Sequence, residues 1–302
     1  MGRHSRQKES KAGLIAAAVV LAIVALVCLG LALYLQLKPE PDPHEGQVYI
    51  NDGFGMVWMT PLEGVPVNQI QRDQIRVIDG RPEYVGSDHE VRYGIDVSEH
   101  QMAIDWAQVK KSGVDFAMIR LGRRGYTEGG IFKDPWFQQN MEGAAANGID
   151  LGVYFFSQAI TPEEAAEEAD FVLEHLKGYD ISMPVVYDWE KIEGAADART
   201  NGLDETVLTD CAVAFCEKIR AAGYEPCVYY NRHLGYYGFD LQRLTEYKSW
   251  IALPGTFPDF YYAFDMWQYS FSAQIPGIEG PTDVNMYFIP KAPLSPSPSP
   301  TA

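Results

Sequence analysis

The stretch Val185-Val186-Tyr187-Asp188-Trp189-Glu190 closes an apolar run with two carboxylates one residue apart. In an extended strand, residues i and i+2 share a face, about 6.5–7 Å apart along it. Asp188 and Glu190 therefore point one way and Trp189 the other. No Lys or Arg on the run neutralises either acid. Two unpaired carboxylates facing one cavity repel, which raises the pKa of at least one of them. One can then hold a proton while the other ionises, the division that acid-catalysed cleavage of a glycosidic bond requires.

Two more acids stand at strand ends: Asp96 in GIDVS and Asp283 at the start of DVNMYF. A lone Asp in such a place more often caps a helix or pairs with a cation. A same-face pair with two further acids points instead to a shared site. Tyr126, Tyr154, Phe156, Tyr229, Tyr230, Trp267 and Tyr269 cluster at strand ends or in the loops that follow. Aromatic faces suit the apolar faces of sugar rings, although most aromatics in any barrel fill its core. Of these, Tyr126, Tyr154, Phe156, Tyr230, Trp267 and Tyr269 are the expected substrate-binding residues.

Positioning these groups requires a scaffold that gathers strand ends. Between residues 92 and 291, short apolar runs alternate with helical periods, as in βα units around a parallel sheet. The expected strands are 93–98, 116–122, 150–157, 183–190, 226–231, 248–254, 263–270 and 283–288. In a β/α barrel the strands' C-terminal ends and the loops after them form the functional face. Thr161-Pro162-Glu163-Glu164 predicts a helix start with a capping box and an entry proline. The stripe Ala165, Ala169, Val172, Leu173 and Leu176 predicts one buried face. Leu208, Cys211, Phe215 and Ile219 repeat that spacing, and Gly223 ends the helix. Segments 232–247 and 271–282 are rich in Tyr, Gly and Pro, so an irregular (TIM-like) eight-stranded β/α barrel is expected.

With 302 residues, 47% hydrophobic and 13% aromatic, the chain can bury one large core. Between Lys11 and Lys38 no residue is charged, a run longer than the roughly 20 residues needed to cross a bilayer. The expected organisation is a basic cytoplasmic segment at 1–11, a transmembrane signal-anchor at 12–37, and a stalk or linker at 38–91 that could hold short strands. The catalytic barrel at 92–291 and a disordered Pro/Ser tail at 292–302 follow. Arg3, Arg6, Lys8 and Lys11 before the span place the N-terminus in the cytoplasm and the barrel outside, in the cell membrane's single-pass topology. The chain has 24 basic and 41 acidic residues; setting aside the five basic and one acidic residue of 1–38 leaves a net excess of 21 acids. Such a field disfavours nucleic acid and anionic lipid as partners.

Cys211 and Cys216 lie too far apart on one helix for a disulfide; either could meet Cys227, or all three could be buried thiols. No CxxC or HExxH occurs, and His44, His89, His100, His175 and His233 share no ligand spacing, so no metal or other cofactor is expected.

The ordered set GIDVSEHQ, IDWAQVKKSGVDFAMIRLG, LGVYFFSQA, EEAAEEADFV, PVVYDWE, MWQYS and DVNMYF, over about two thirds of the chain, resembles the glycoside hydrolase family 25 lysozymes, the N-acetylmuramidases. The resemblance implies hydrolysis of the β-1,4 bond from N-acetylmuramic acid to N-acetylglucosamine in peptidoglycan glycan strands of a bacterial wall. It makes Glu190 the general acid, Asp188 the residue that orients the 2-acetamido group, and Asp96 and Asp283 the completing acids. All four expected acids are present, which disfavours the alternative of a non-catalytic wall-binding scaffold. SEHQMAIDW lacks an expected glycine after the Gln, and FFS replaces a more polar trio; both bear on subsites. The resemblance also suggests net retention through the substrate's own acetamide. It names no protein partner.

Overall fold

The computed structural model describes residues 5–38 and 42–291. Residues 1–4 of the expected basic segment, 39–41 of the expected stalk or linker and the expected tail 292–302 lie outside the described residues. Two compact units are present, residues 1–47 and 48–302.

The first holds one helix, α1 (Ser5–Leu37). Its Lys11–Leu37 stretch is long and apolar enough to cross a membrane, and its large apolar side chains from Leu14 to Leu37 are exposed along the whole run.

In the second unit, two antiparallel hairpins come first: β1 (Val48–Asn51) with β2 (Met56–Met59), and β3 (Ile75–Ile78) with β4 (Arg81–Tyr84). Then come β5 (His89–Val97), α2 (Trp106–Lys111), β6 (Phe116–Arg124), β7 (Ile131–Lys133), α3 (Phe137–Ala146), β8 (Asp150–Ser157), α4 (Pro162–His175) and β9 (Val185–Trp189). The chain continues through α5 (Glu205–Ala221), β10 (Pro226–Asn231), α6 (Arg232–Tyr237), β11 (Lys248–Ala252), β12 (Met266–Ala273) and β13 (Thr282–Pro290).

All eight expected strands form and close a barrel in the order β5-β6-β8-β9-β10-β11-β12-β13. Neighbours from β5 to β12 are parallel, whereas β13 is antiparallel to both β12 and β5 and closes the ring. No α-helix separates β11 from β12 or β12 from β13, so the last third is the irregular part.

Each strand buries both faces, which is why these runs are apolar throughout rather than alternating. On β6, Phe116 and Met118 point into the barrel, while Ala117, Ile119 and Leu121 face the helices; none is exposed. Burying each of the larger side chains contributes about 1.5–3 kcal/mol. Gly94 leaves room for this interior, since a Cβ there would lie 2.3 Å from the Phe116 ring. Thr161 caps α4, its Oγ1 accepting from Glu164 N at 3.3 Å. Glu164 returns a carboxylate to Ile160 N at 3.0 Å, one residue before the cap.

Residues 48–91 pack on the barrel rather than trailing as a free linker. Leu62 N donates to Tyr262 OH at 2.9 Å, Asn68 Nδ2 donates to Pro258 O and Phe260 O, and Ile70 and Ile75 join the helix-side core. Cys211, Cys216 and Cys227 are buried free thiols.

Candidate active site

The barrel's C-terminal mouth holds a cavity of about 250 Å³ in which all four expected acids meet: Asp96, Asp188, Glu190 and Asp283. Strand parity orients the pair at the end of β9. Tyr187 and Trp189 face the helix layer, and Asp188 and Glu190 face inward. Asp283 arrives by a different route. In an all-parallel barrel the first residues of a strand lie at the far end, but antiparallel β13 starts at the mouth, in register beside Asp96.

An amide network holds this second pair. Asp96 Oδ2 accepts from Asn285 Nδ2 at 2.8 Å and from Gln268 Nε2 at 3.0 Å; Gln268 Nε2 also reaches Asp283 Oδ2 at 3.3 Å. Gln268 Oε1 accepts from Tyr229 OH at 2.8 Å, and Asn285 Oδ1 from Trp250 Nε1 at 2.9 Å. Each amide thus has its oxygen occupied by an aromatic donor, which fixes its nitrogen toward the acids.

Burial raises every carboxyl in the mouth. Desolvation, then the Asp283 charge, pushes Asp96 up to about 8, against the hydrogen bonds from Asn285 and Gln268. Asp283 rises to about 6, mainly by desolvation. Desolvation followed by the Glu190 and Asp96 charges carries Asp188 well above the ordinary carboxylate range, while Arg120 pulls it back. Glu190 is raised by desolvation and by Asp283. At neutral pH the four cannot all be ionised together. Asp188 Oδ1 is buried and finds no hydrogen-bond partner among the described residues.

Tyr154 and Phe156 on β8 line the cavity as expected. Tyr230, Trp267 and Tyr269 do not. They sit in the helix-side layer with 3%, 0% and 9% exposure, and Trp267 Nε1 donates to Leu253 O at 2.7 Å. The cause is parity: their neighbours Tyr229 and Gln268 take the inward positions. Tyr126 stands on the turn after β6, 44% exposed and outside the cavity lining.

The sequence reading also passed over Arg120, Gln268, Asn285 and Trp250. Asn285 was within reach, being two residues from Asp283 on one strand and hence on its face. Arg120 is buried on β6; its Nε donates to Asp134 Oδ2 at 2.8 Å and its Nη2 to Glu99 Oε1 at 2.7 Å. Gln158, at the end of β8, donates from Nε2 to Glu190 O at 2.8 Å and pins the strand end that carries the acid. A larger cavity of about 390 Å³ lies between residues 65–70 and β10–β11, but its lining carries no group of convergent acids.

The family profile of glycosyl hydrolases family 25 matches residues 95–278. Lysozyme M1 of Streptomyces globisporus is 28% identical over 204 residues, covering 64% of this chain and 67% of the relative. The autolytic lysozyme of Clostridium acetobutylicum is 25% identical over 196 residues, covering 64% and 55%. Among solved structures, the modular autolysin LytC from Streptococcus pneumoniae, in complex with a synthetic peptidoglycan ligand, superposes with a TM-score of 0.58 at 25% identity. That match covers 80% of this chain, which spans 57% of the autolysin's length. A family 25 glycosyl hydrolase from Bacillus anthracis shares the fold, with a TM-score of 0.54, 21% identity and coverage of 72% and 94%. The profile match spans more than half of the chain, and with its eight-stranded barrel and acid-lined mouth the chain belongs to glycosyl hydrolases family 25.

Proposed function

We propose that this chain is a peptidoglycan muramidase that cleaves the β-1,4 bond between N-acetylmuramic acid and N-acetylglucosamine in bacterial cell-wall glycan. The observation that carries the reading is the convergence of Glu190, Asp188, Asp96 and Asp283 in one buried mouth, with Glu190 raised above its ordinary range by desolvation and by Asp283. A carboxyl so raised keeps its proton for a leaving group nearer to neutral pH than a solvated one would.

Glu190 gives its proton to the glycosidic oxygen as the bond to the anomeric carbon breaks. Asp188, with Arg120 offsetting part of the burial that raises its carboxyl, accepts the N–H of the 2-acetamido group and turns its carbonyl oxygen toward that carbon. The carbonyl oxygen forms the new bond, giving a cyclic oxazolinium. Water then opens the ring, losing its proton to Glu190, and the product keeps the β configuration. Asp283 lowers the cost of positive charge at the anomeric carbon, held there by its hydrogen bond with Asp96. Helix α1 would anchor the enzyme in the cell membrane with its N-terminus cytoplasmic and the barrel outside, where peptidoglycan lies.

The test is digestion of purified peptidoglycan by the wild-type protein and Glu190→Gln, with mass spectrometry of the products. Wild type should release fragments with a reducing-end muramic acid, and Glu190→Gln should lose about 10²–10⁴-fold in kcat. A reducing-end glucosamine would overturn the bond assignment, and unchanged variant activity would remove Glu190 from the acid role. Proton NMR of the first-formed anomer checks the stereochemistry, and initial release of the α-anomer would sink retention.

A further inference from the structure

The β1–β2 turn lies outside the span matched by the family profile and docks on the helix that follows β10. The parallel register of β9 and β10 sets Tyr229 beside Asp188, so Asn231, two residues on, ends its strand level with Glu190. Helix α6 begins at the next residue. One strand spacing plus two residues of chain puts the Cα of His233 within about 12 Å of that of Glu190.

The turn docks on this helix and is held there from both ends. Arg232 Nη1 donates to Asn51 O at 2.8 Å, and Arg232 is itself fixed by its ion pair with Asp259. Tyr237 OH donates to Asp52 Oδ2 at 3.2 Å, while Asp52 Oδ1 accepts from the backbone N–H groups of Phe54 and Gly55 at 2.8 and 3.0 Å. Gly53, at φ +101°, supplies the backbone conformation the turn needs.

What this scaffold displays is apolar. Phe54 is 84% exposed and stands edge-on to His233 at 5.4 Å; His233 lies 5.3 Å from Tyr237, itself 40% exposed. Holding a phenylalanine out in water adds nothing to folding, so the hydrogen bonds that fix the turn preorganise a surface rather than complete a core.

We propose that Phe54, His233 and Tyr237 form a carbohydrate subsite that carries the glycan strand beyond the cleft. The inference rests on the muramidase reading and extends it. A cavity of about 250 Å³ admits only a short piece of a polymer, so the strand must leave across the rim. Rigid aromatic faces take the apolar faces of sugar rings at little entropic cost, and the imidazole and phenol edges offer hydrogen bonds to hydroxyl and acetamido groups. The acid-rich surface of this unit favours a neutral sugar there over an anionic lipid headgroup.

The experiment compares full-length protein in detergent on long uncrosslinked glycan strands and on a tetrasaccharide from the same peptidoglycan. The ratio of the two kcat/KM values, long over short, should fall about tenfold in Phe54→Ala and in His233→Ala, and return toward wild type in Phe54→Trp. If wild type cleaves neither substrate, the muramidase reading itself fails. If wild type cleaves both and neither alanine variant changes the ratio, the subsite alone is overturned, whether the turn then proves to face lipid or a second copy of the chain.

Discussion

Replacing Asp96 with Asn should stabilise the protein at pH 8 while impairing its activity. Asp96 is 8% exposed, and its carboxyl rises from the ordinary 3.8 to about 8 in the folded chain. A raised folded-state pKa means that the folded form holds a proton the unfolded form has released. Stability is therefore fully present below about pH 4 and is lost as pH climbs toward 8. The full rise corresponds to about 6 kcal/mol. Water reaching the open mouth screens part of this, and we expect on the order of 2–3 kcal/mol, or about 4–12 °C in Tm for a unit of this size. Asn suits the site: its Oδ1 can occupy the position of Asp96 Oδ2, where Asn285 and Gln268 donate, and its amide can then donate to Asp283. Calorimetry of wild type and Asp96→Asn between pH 4 and 8, in one detergent, reads the difference. A Tm gap that widens with pH supports the reasoning. A gap independent of pH, or a wild type more stable at pH 8, would refute it.

Trp267→Phe should lower stability by about 1–3 kcal/mol, because it orphans the Leu253 carbonyl and leaves space in a packed layer; KM should not move. A raised KM with unchanged Tm would return Trp267 to the cleft. Arg120→Met should cost about 3–5 kcal/mol, since it strips the buried cation from Asp134, whose side chain is fully buried. Chemical denaturation measures this, and a loss below about 1 kcal/mol would refute the view that Asp134 depends on the Arg120 cation.

The carboxylate pair was legible because a strand's alternation is local. Once VVYDW is extended, Asp188 and Glu190 share a face and Trp189 takes the other, whatever surrounds them. The aromatic lining was not legible in the same way. PCVYYN and MWQYS are buried on both faces, so nothing in their polarity says which parity looks inward. Tyr229 and Gln268 face the mouth because β10 is in register with β9, Tyr229 beside Asp188, and because β12 continues the same ring. Reading the more exposed-looking end residues, Tyr230, Trp267 and Tyr269, as cleft residues took the opposite parity. Asn285 and Gln268 escaped notice for a related reason. Neutral amides carry no chemistry alone and acquire a role only when two acids and two aromatic donors surround them.

The sequence by itself determined the barrel class, the eight strands, the apolar N-terminal helix and the four acids, since each is written in periodicity or in side-chain type. Only the tertiary structure decided that β13 runs antiparallel, which carries Asp283 to the mouth beside Asp96 rather than to the opposite end. It also decided that residues 48–91 pack on the barrel, docking the β1–β2 turn on α6. Strand direction and docking are settled by contacts between residues far apart in the chain, and no local pattern records them.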